Sequence, residues 1–131
     1  GKYIWLKSGA SLVIEHTEAM TVIDVNTGSV LKKKKQEDTL FYQINREAAK
    51  EIARQLRLRN ISGIIMIDFI NMKDTAQKEK LLSLLDSECK KDRVHCNVID
   101  MTALNLVEMT RSKVRKPLHE QIRSCMKNNR S

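Results

Sequence analysis

Two aspartates, Asp24 and Asp68, stand near the ends of short apolar segments rich in β-branched residues, where charged side chains are uncommon. Side chains alternate between the two faces of a strand, so Asp24 shares a face with Asn26. Asp68 closes an apolar run over residues 64–67. If the two strands are neighbours in one sheet, both carboxylates and the Asn26 amide meet at one edge of that sheet.

Such a pair of carboxylates has an evident chemical use. An ionised carboxylate at the rim of an apolar core must be paired, hydrated or bound to a metal ion, because desolvating it alone is costly. Two carboxylates at one place repel each other, and a divalent cation relieves that repulsion. Mg²⁺ suits one or two carboxylates, bound waters and a substrate phosphate, and it can activate a water for attack on that phosphate. The alternative left open is that the aspartates cap loops or pair with lysines such as Lys73.

Other reactive side chains form weaker combinations. His16, His95 and His119 are scattered along the chain, without an H-E-x-x-H pattern or a nucleophile elbow. Cys89 and Cys96 follow apolar patterns typical of a helix and a strand, so we expect both to pack in the core.

The elements that must position the acidic residues can be read from apolar periodicity. Residues 11–17 and 20–25 predict a strand hairpin that ends in turn residues, and a lysine-rich loop extends to about residue 38. An apolar stripe at three- and four-residue spacing predicts a helix from residue 39 to about 56. The continuous apolar run 62–70 predicts a strand in the middle of the sheet, covered on both faces. The remaining predicted elements are a helix over residues 74–89, with Asp74 near its start, and strands over residues 94–99 and 104–109.

This order, β-β-α-β-α-β-β, predicts one α/β domain with a single mixed sheet and two main helices. The length of 131 residues and the 41% hydrophobic content fit one globular domain. No apolar run approaches the roughly 20 residues that span a bilayer, and no signal-peptide pattern opens the sequence. Three cysteines without a C-x-x-C pattern argue against a disulfide scaffold or a self-contained zinc site. We therefore expect a cytoplasmic protein without a membrane span.

The positive charge is concentrated near the end of the chain. Seven basic residues and one acid from Arg111 onward account for +6 of the formal net charge of +8. Clustered positive charge favours a polyanionic partner, although a solvated tail and loop explain it as well. The basic residues best placed to guide a phosphate backbone, if they are more than a solvated surface, are Arg54, Arg57, Arg59 and Lys113. With five aromatic residues in the chain, the sequence shows no stacking platform for bases.

Long segments of the chain resemble a known family. WLKSGASLVIEHTEAMTVIDVNTG and NREAAKEIARQLRLRNISGIIMIDFINM, with KKDRVHCNVIDMTALNLVEMTRSKVRKPL, resemble the RNase E/G family of bacterial endoribonucleases over residues 3–118. The family motif D-[VI]-N-[ST] matches residues 24–27, and I-D-F-I-D-M matches residues 67–72 except at Asn71. The resemblance implies a DNase I-like catalytic subdomain with Asp24 and Asp68 as Mg²⁺ ligands. It further implies that Asn26 helps to hold the metal site or the scissile phosphate.

By the same resemblance, the expected activity is Mg²⁺-dependent hydrolysis of single-stranded RNA in rRNA and tRNA processing and mRNA decay, with 5′-phosphate products. The full-length enzyme is expected to be a homo-oligomer. Several positions depart from the family pattern. Asn71 replaces the second acid of its motif, Ser29 replaces a frequent basic residue, and His95 stands where the family often has Arg or Lys. Because Cys125 lacks the second cysteine of the family's C-P-x-C, we do not predict its zinc link between subunits.

We expect residues 1–118 to form the catalytic subdomain and residues 119–131 a basic C-terminal tail. The family's RNA-binding barrel, 5′ sensor and RNase H-like subdomain would precede this stretch, so the chain is expected to be an excised domain. The alternative function is a non-catalytic RNA-binding or assembly module, in which this stretch is inactive without the other subdomains.

Overall fold

The computed structural model describes residues 1–28 and 37–113. Within these ranges the chain forms six strands and two helices in the order β-β-β-α-β-α-β-β. They are β1 (Lys2–Trp5), β2 (Ser11–His16), β3 (Met20–Asn26), α1 (Glu37–Leu58), β4 (Gly63–Asp68), α2 (Thr75–Cys89), β5 (Cys96–Met101) and β6 (Leu106–Arg111).

The strands form one mixed sheet in the order β1-β2-β3-β4-β6-β5. β3 and β4 are parallel, because the crossover through α1 returns the chain to the same end of the sheet before β4 begins. The other neighbouring strands are antiparallel. As a result β3 and β4 lie side by side at the centre of the sheet, and their carboxyl ends lie at the same end of it.

Both helices cover one face of this sheet. Every second residue of the central strands points toward them and is buried, and α1 contributes the apolar stripe that its sequence predicts. Asp74 caps the start of α2, since its carboxylate accepts hydrogen bonds from the N–H groups of Ala76 (2.8 Å) and Gln77 (3.4 Å). The largest fully buried side chains are Leu12, Ile14, Ile23, Ile44, Ile52, Leu56, Ile65, Ile67, Leu81, Leu85, Met109 and Val107.

The opposite face of the sheet is open in the described part of the chain. It carries Val13, Val22, Asp24 and Asp68 at the centre, and Tyr3 on the edge strand β1. Ile64 of β4 has 42% of its surface exposed. The prediction that the central strand is covered on both faces is therefore wrong for the described residues. Both helices pack on the same side, so the apolar run of β4 faces them with only every second residue.

The predicted fold class, one mixed α/β sheet with two helices, is confirmed, as is the hairpin formed by β2 and β3. The sheet has one further strand, β1, which the sequence pattern did not indicate. α1 begins two residues earlier than predicted, and β5 and β6 each begin and end two residues later. The basic tail of residues 119–131 lies outside the described residues. No described helix combines the length and apolar character that a bilayer crossing requires.

Candidate functional site

Asp24 and Asp68 are direct partners in the pairing of β3 with β4. They lie at the carboxyl ends of two parallel strands, whose backbones are about 4.8 Å apart. Both side chains reach the open face, where they line a cavity of about 250 Å³ together with Val13, Glu15 and Val22. The juxtaposition predicted from the sequence is therefore observed.

Asn26 is the last residue of β3 and lies on the same face as Asp24. The chain turns immediately after it, and Gly28 adopts a positive φ of +58°. A Cβ atom at Gly28 would lie 2.6 Å from the carbonyl oxygen of Gly9, so the turn packs closely against the loop between β1 and β2. This contact fixes the direction of the chain just beyond Asn26, which ends the strand that carries Asp24 but does not line the cavity formed by the two carboxylates.

The end of the sheet that carries Asp24 and Asp68 has negative charge without a positive partner in the described residues. Burial raises the pKa of Asp24 above its ordinary value of 3.8, and the nearby charges of Asp68 and Glu15 raise it further. Within residues 1–28 and 37–113, no Lys, Arg or His side chain lies within ion-pair distance of either aspartate. The pairing with Lys73 that the sequence left open is therefore not found there. The site concentrates negative charge at one place.

Asn45 supports the segment that follows Asp68. It is fully buried on α1, where its Nδ2 donates to the carbonyl of Ile70 (2.8 Å) and its Oδ1 accepts from the N–H of Ile70 (2.9 Å). This paired contact holds the chain two residues beyond Asp68. Sequence reasoning missed Asn45, although an asparagine between Ile44 and Ala48 on an apolar helical face is an unusual residue that could have signalled it.

The donor set limits what this site can hold. No group of three His, Cys, Asp or Glu side chains in the described ranges is arranged to bind a metal ion. Two carboxylates and a nearby amide fit a cation that keeps several waters and takes its remaining ligand from a phosphate. Mg²⁺ has that preference, whereas structural Zn²⁺ requires four protein ligands.

The predicted RNA-binding residues do not gather around the acidic edge. Arg57 is in the last turn of α1, and Arg59 follows the helix, where its Nε donates to Gln55 Oε1 (2.7 Å). Lys113 lies just beyond β6, whose last residue pairs with the first residue of β4. All three basic residues therefore lie at the opposite end of the sheet from Asp24 and Asp68. Arg54, one turn earlier on α1, forms an ion pair with Glu51 (3.1 Å) and lines a groove beside β1.

Two further sequence observations have a structural counterpart. Asn71, which replaces an acid of the family motif, accepts a hydrogen bond through Oδ1 from Asn105 Nδ2 (2.8 Å). Cys89 is buried in the core, and Cys96 is half-buried and packs against it, as predicted.

Comparison with known proteins identifies a family over most of the chain. The model of the ribonuclease E/G family matches residues 1–114. Ribonuclease G of Escherichia coli K12 is 48% identical over 113 residues, which cover 86% of this chain and 23% of that protein. Ribonuclease G of Haemophilus influenzae is 48% identical over 117 residues, or 89% of this chain and 24% of that protein.

Ribonuclease E of Nostoc is 42% identical over 115 residues, which cover 88% of this chain and 17% of that protein. The chain thus spans about a quarter or less of the length of these curated relatives. The match extends through both segments that carry the acidic pair. The chain belongs to the ribonuclease E/G family.

Proposed function

We propose that this chain carries the catalytic residues of a Mg²⁺-dependent endoribonuclease that hydrolyses phosphodiester bonds in single-stranded RNA. The observation that carries the proposal is the direct pairing of Asp24 with Asp68 at the carboxyl ends of parallel strands. Each carboxylate repels the other, and the described residues supply no cation to offset them. Because burial and the neighbouring carboxylates raise the pKa of Asp24, a divalent cation that neutralises this charge is well suited to the site.

In the proposed site Asp24 and Asp68 hold Mg²⁺, and the Asn26 amide lies on the same strand face as Asp24. When bound, Mg²⁺ supplies neutralising charge to the scissile phosphate and lowers the pKa of a bound water. The cavity on the open face contains both carboxylates, and an extended RNA strand on this face would reach them. The Asn26 Nδ2 group donates a hydrogen bond to a phosphate oxygen and orients it for in-line attack.

The proposed reaction uses water as the nucleophile and requires none from the protein. The water oxygen forms a bond to phosphorus, the bond from phosphorus to the ribose 3′-oxygen breaks, and that oxygen takes up a proton. The products are a 3′-hydroxyl and a 5′-phosphate. The contribution of the chain is to orient the phosphate and to hold charge near it, which are the main sources of rate enhancement in phosphoryl transfer.

A charge-removing substitution tests this proposal. Wild-type protein and the Asp68→Asn variant are incubated with a 5′-labelled single-stranded RNA in Mg²⁺ or in EDTA. We expect cleavage only with wild type and Mg²⁺, with products that end in a 5′-phosphate. The matched control is Asp100→Asn, which removes an exposed aspartate from β5 and should cleave like wild type. Circular dichroism establishes that both variants are folded.

Two results would contradict the proposal. One is equal Mg²⁺-dependent cleavage by wild type and Asp68→Asn. The other is RNA binding that tightens when Asp24 or Asp68 is replaced by Asn, without cleavage by any form. The second result favours the non-catalytic RNA-binding module, because an electrostatic binder gains when negative charge is removed and loses affinity steeply with salt.

A further inference from the structure

The edge strand β1 exposes an aromatic pair. Tyr3 has 55% and Trp5 has 67% of its surface exposed. Their ring centroids are 5.2 Å apart, with an angle of 51° between the ring planes. Tyr3 is tethered by a hydrogen bond that the Ser11 hydroxyl donates to its Oη (3.4 Å). Large aromatic side chains are normally buried because they remove much apolar surface from water, so an ordered exposed pair points to a ligand.

The sheet register places this pair near the end of the sheet that carries Asp24 and Asp68. Tyr3 pairs with Val13, which pairs with Asp24, and partners in a register share a face of the sheet. Trp5 is related in the same way, through Ser11, to Asn26. Two strand spacings separate the aromatic pair from these site residues, a distance of about 10 Å between backbones. One RNA strand that crosses the open face can therefore contact both.

Basic side chains lie beside the same edge strand, β1, on the side that faces α1. A groove of about 650 Å³ lies between Trp5 and α1 and is lined in part by Lys7, Arg46 and Lys50. The arginine of these three lies with its guanidinium carbon 5.5 Å from the centre of the Tyr42 ring. In the described part of the chain, no acidic side chain forms an ion pair with Lys7 or Lys50.

The two acids in the groove already have partners. Glu47 accepts hydrogen bonds from the N–H of Ser8 (3.2 Å) and from its hydroxyl (2.5 Å), and Glu51 pairs with Arg54 (3.1 Å). The groove therefore presents positive charge to a phosphate backbone. Aromatic rings flanked by lysine and arginine are the combination that binds single strands through stacked bases and neutralised phosphates.

We propose that Tyr3 and Trp5 form a base-stacking subsite for single-stranded RNA, with Lys7, Arg46 and Lys50 contacting the adjoining phosphates. This subsite rests on the proposed function, since it positions the strand whose scissile phosphate lies at Asp24 and Asp68. The subsite holds bases without reading a specific sequence, because every base offers a face for stacking.

Trp5 gives the proposal a direct probe, because it is the only tryptophan in the sequence. A twelve-nucleotide oligoadenylate RNA is titrated into the protein in EDTA, which prevents Mg²⁺-dependent cleavage. Tryptophan fluorescence is measured together with the anisotropy of a labelled copy of the RNA. We expect quenching of Trp5 that follows the same binding curve as the anisotropy. Trp5→Ala should weaken binding about fivefold to a hundredfold, the range for loss of one stacked base.

Controls separate stacking from other effects. Trp5→Phe should restore most of the affinity, because phenylalanine retains an aromatic face. Leu104→Ala is the matched control, since Leu104 is a large exposed apolar residue outside the aromatic pair and should leave the affinity unchanged. Three results overturn the proposal: RNA that binds without quenching Trp5, equal affinity of Trp5→Ala and wild type, or absence of binding to the wild-type protein at low salt.

The outcome is independent of the cleavage test. Asp68→Asn should retain the quenching of Trp5, and loss of repulsion from the phosphates should leave its affinity equal to or above that of wild type. Quenching that persists while Asp68→Asn cleaves like wild type means that the proposed function fails and the stacking subsite stands. An unquenched Trp5 with Asp68-dependent cleavage means the reverse.

Discussion

In the part of the chain that the structure describes, charged side chains are unpaired at one end of the sheet and paired at the other. At one end Asp24 and Asp68 place like charges on neighbouring strands, and burial and repulsion raise the pKa of Asp24. At the other end Arg111 is buried and donates to both carboxylate oxygens of Asp92, through Nε (2.8 Å) and Nη2 (3.3 Å). Its Nη1 donates to the side chain of Asn60 (3.1 Å) and to the carbonyl of Ile61 (3.0 Å).

The difference is that, within residues 1–28 and 37–113, one end pairs its charges within the fold and the other does not. Arg111 at the end of β6 makes four hydrogen bonds, which join it to Asp92 in the loop before β5 and to Asn60 and Ile61 in the loop before β4. Burial alone would raise the pKa of Asp92, but hydrogen bonds from Arg111 and from the N–H of Val94 lower it overall. The Asp24 end leaves its charges without such partners in the described residues. In the described residues the buried charge of Arg111 is paired within the fold, whereas the two aspartates that we propose as metal ligands have no such partner.

The largest expected effect on stability comes from removing the ion pair between Arg111 and Asp92. Arg111→Met should lower the free energy of unfolding by about 3–5 kcal/mol, because it leaves Asp92 buried without its partner. Urea denaturation followed by circular dichroism measures this loss. The matched control is Arg54→Met, which removes an ion pair whose arginine side chain is 58% exposed and should change stability by less than about 1 kcal/mol. Equal losses in the two variants would contradict the assignment of a structural role to Arg111.

The contribution of Asp92 to the free energy of unfolding should depend on pH. Because the pKa of Asp92 is below its ordinary value of 3.8 in the folded protein, its stabilising contribution is complete above that value. It disappears as the pH falls through the lower pKa of the folded state. Asp92→Asn should therefore be less stable than wild type by a constant amount from neutral pH to about pH 5, and the gap should shrink at more acidic pH. A gap that persists undiminished below the folded-state pKa would show that the charge of Asp92 is not its cause.

Removal of the hydrogen bonds between Asn45 and Ile70, just beyond Asp68, should have an intermediate effect on stability. Asn45→Ala removes the partner of both backbone groups of Ile70 and should destabilise the protein by about 1–3 kcal/mol. The amide resonance of Asp68 should shift at the same time, since the segment that follows it loses its anchor. Gln43→Ala, an exposed change on the same helix, serves as the control in both denaturation and NMR measurements. Loss of stability without any shift near Asp68 would limit Asn45 to a general packing role.

The smallest effect has the opposite sign. Asp24→Asn should stabilise the protein at neutral pH by about 0.2–1 kcal/mol, because it removes one of two like charges that are direct partners across neighbouring strands. Thermal unfolding at low ionic strength measures the gain, and added salt should reduce it by screening the repulsion. Destabilisation by Asp24→Asn would mean that the carboxylate has a structural partner and would remove the contrast between the two ends.

Much of the fold and the acidic pair could be predicted from local patterns. Alternation in residues 20–26 identifies β3 and the faces of its side chains, whereas the apolar run before Asp68 identifies β4 as a strand but not which of its faces is covered. The sequence left open whether those strands are neighbours, and the structure shows that they pair in parallel across the helix that connects them.

Features that depend on distant contacts could not be predicted in this way. β1 is a four-residue edge strand that exposes its aromatic residues, so it lacks the buried alternation that identifies a strand. The aromatic pair was missed for the same reason. The Arg111–Asp92 pair joins residues 19 positions apart, and Asn45 meets Ile70 across 25 positions. Neither contact leaves a local pattern, and basic residues could be located in the sequence but not assigned to an end of the sheet.

The most direct test of the central claim maps the metal site itself. ¹⁵N-labelled protein is titrated with trace Mn²⁺, and Mg²⁺ is then added as a competitor. We predict selective broadening of the amide resonances of Asp24, Asn26 and Asp68, reversal by Mg²⁺, loss of the effect in Asp24→Asn and its retention in Asp100→Asn. Broadening centred on other residues, or broadening at this edge that Asp24→Asn leaves unchanged, would contradict a metal site formed by the two aspartates.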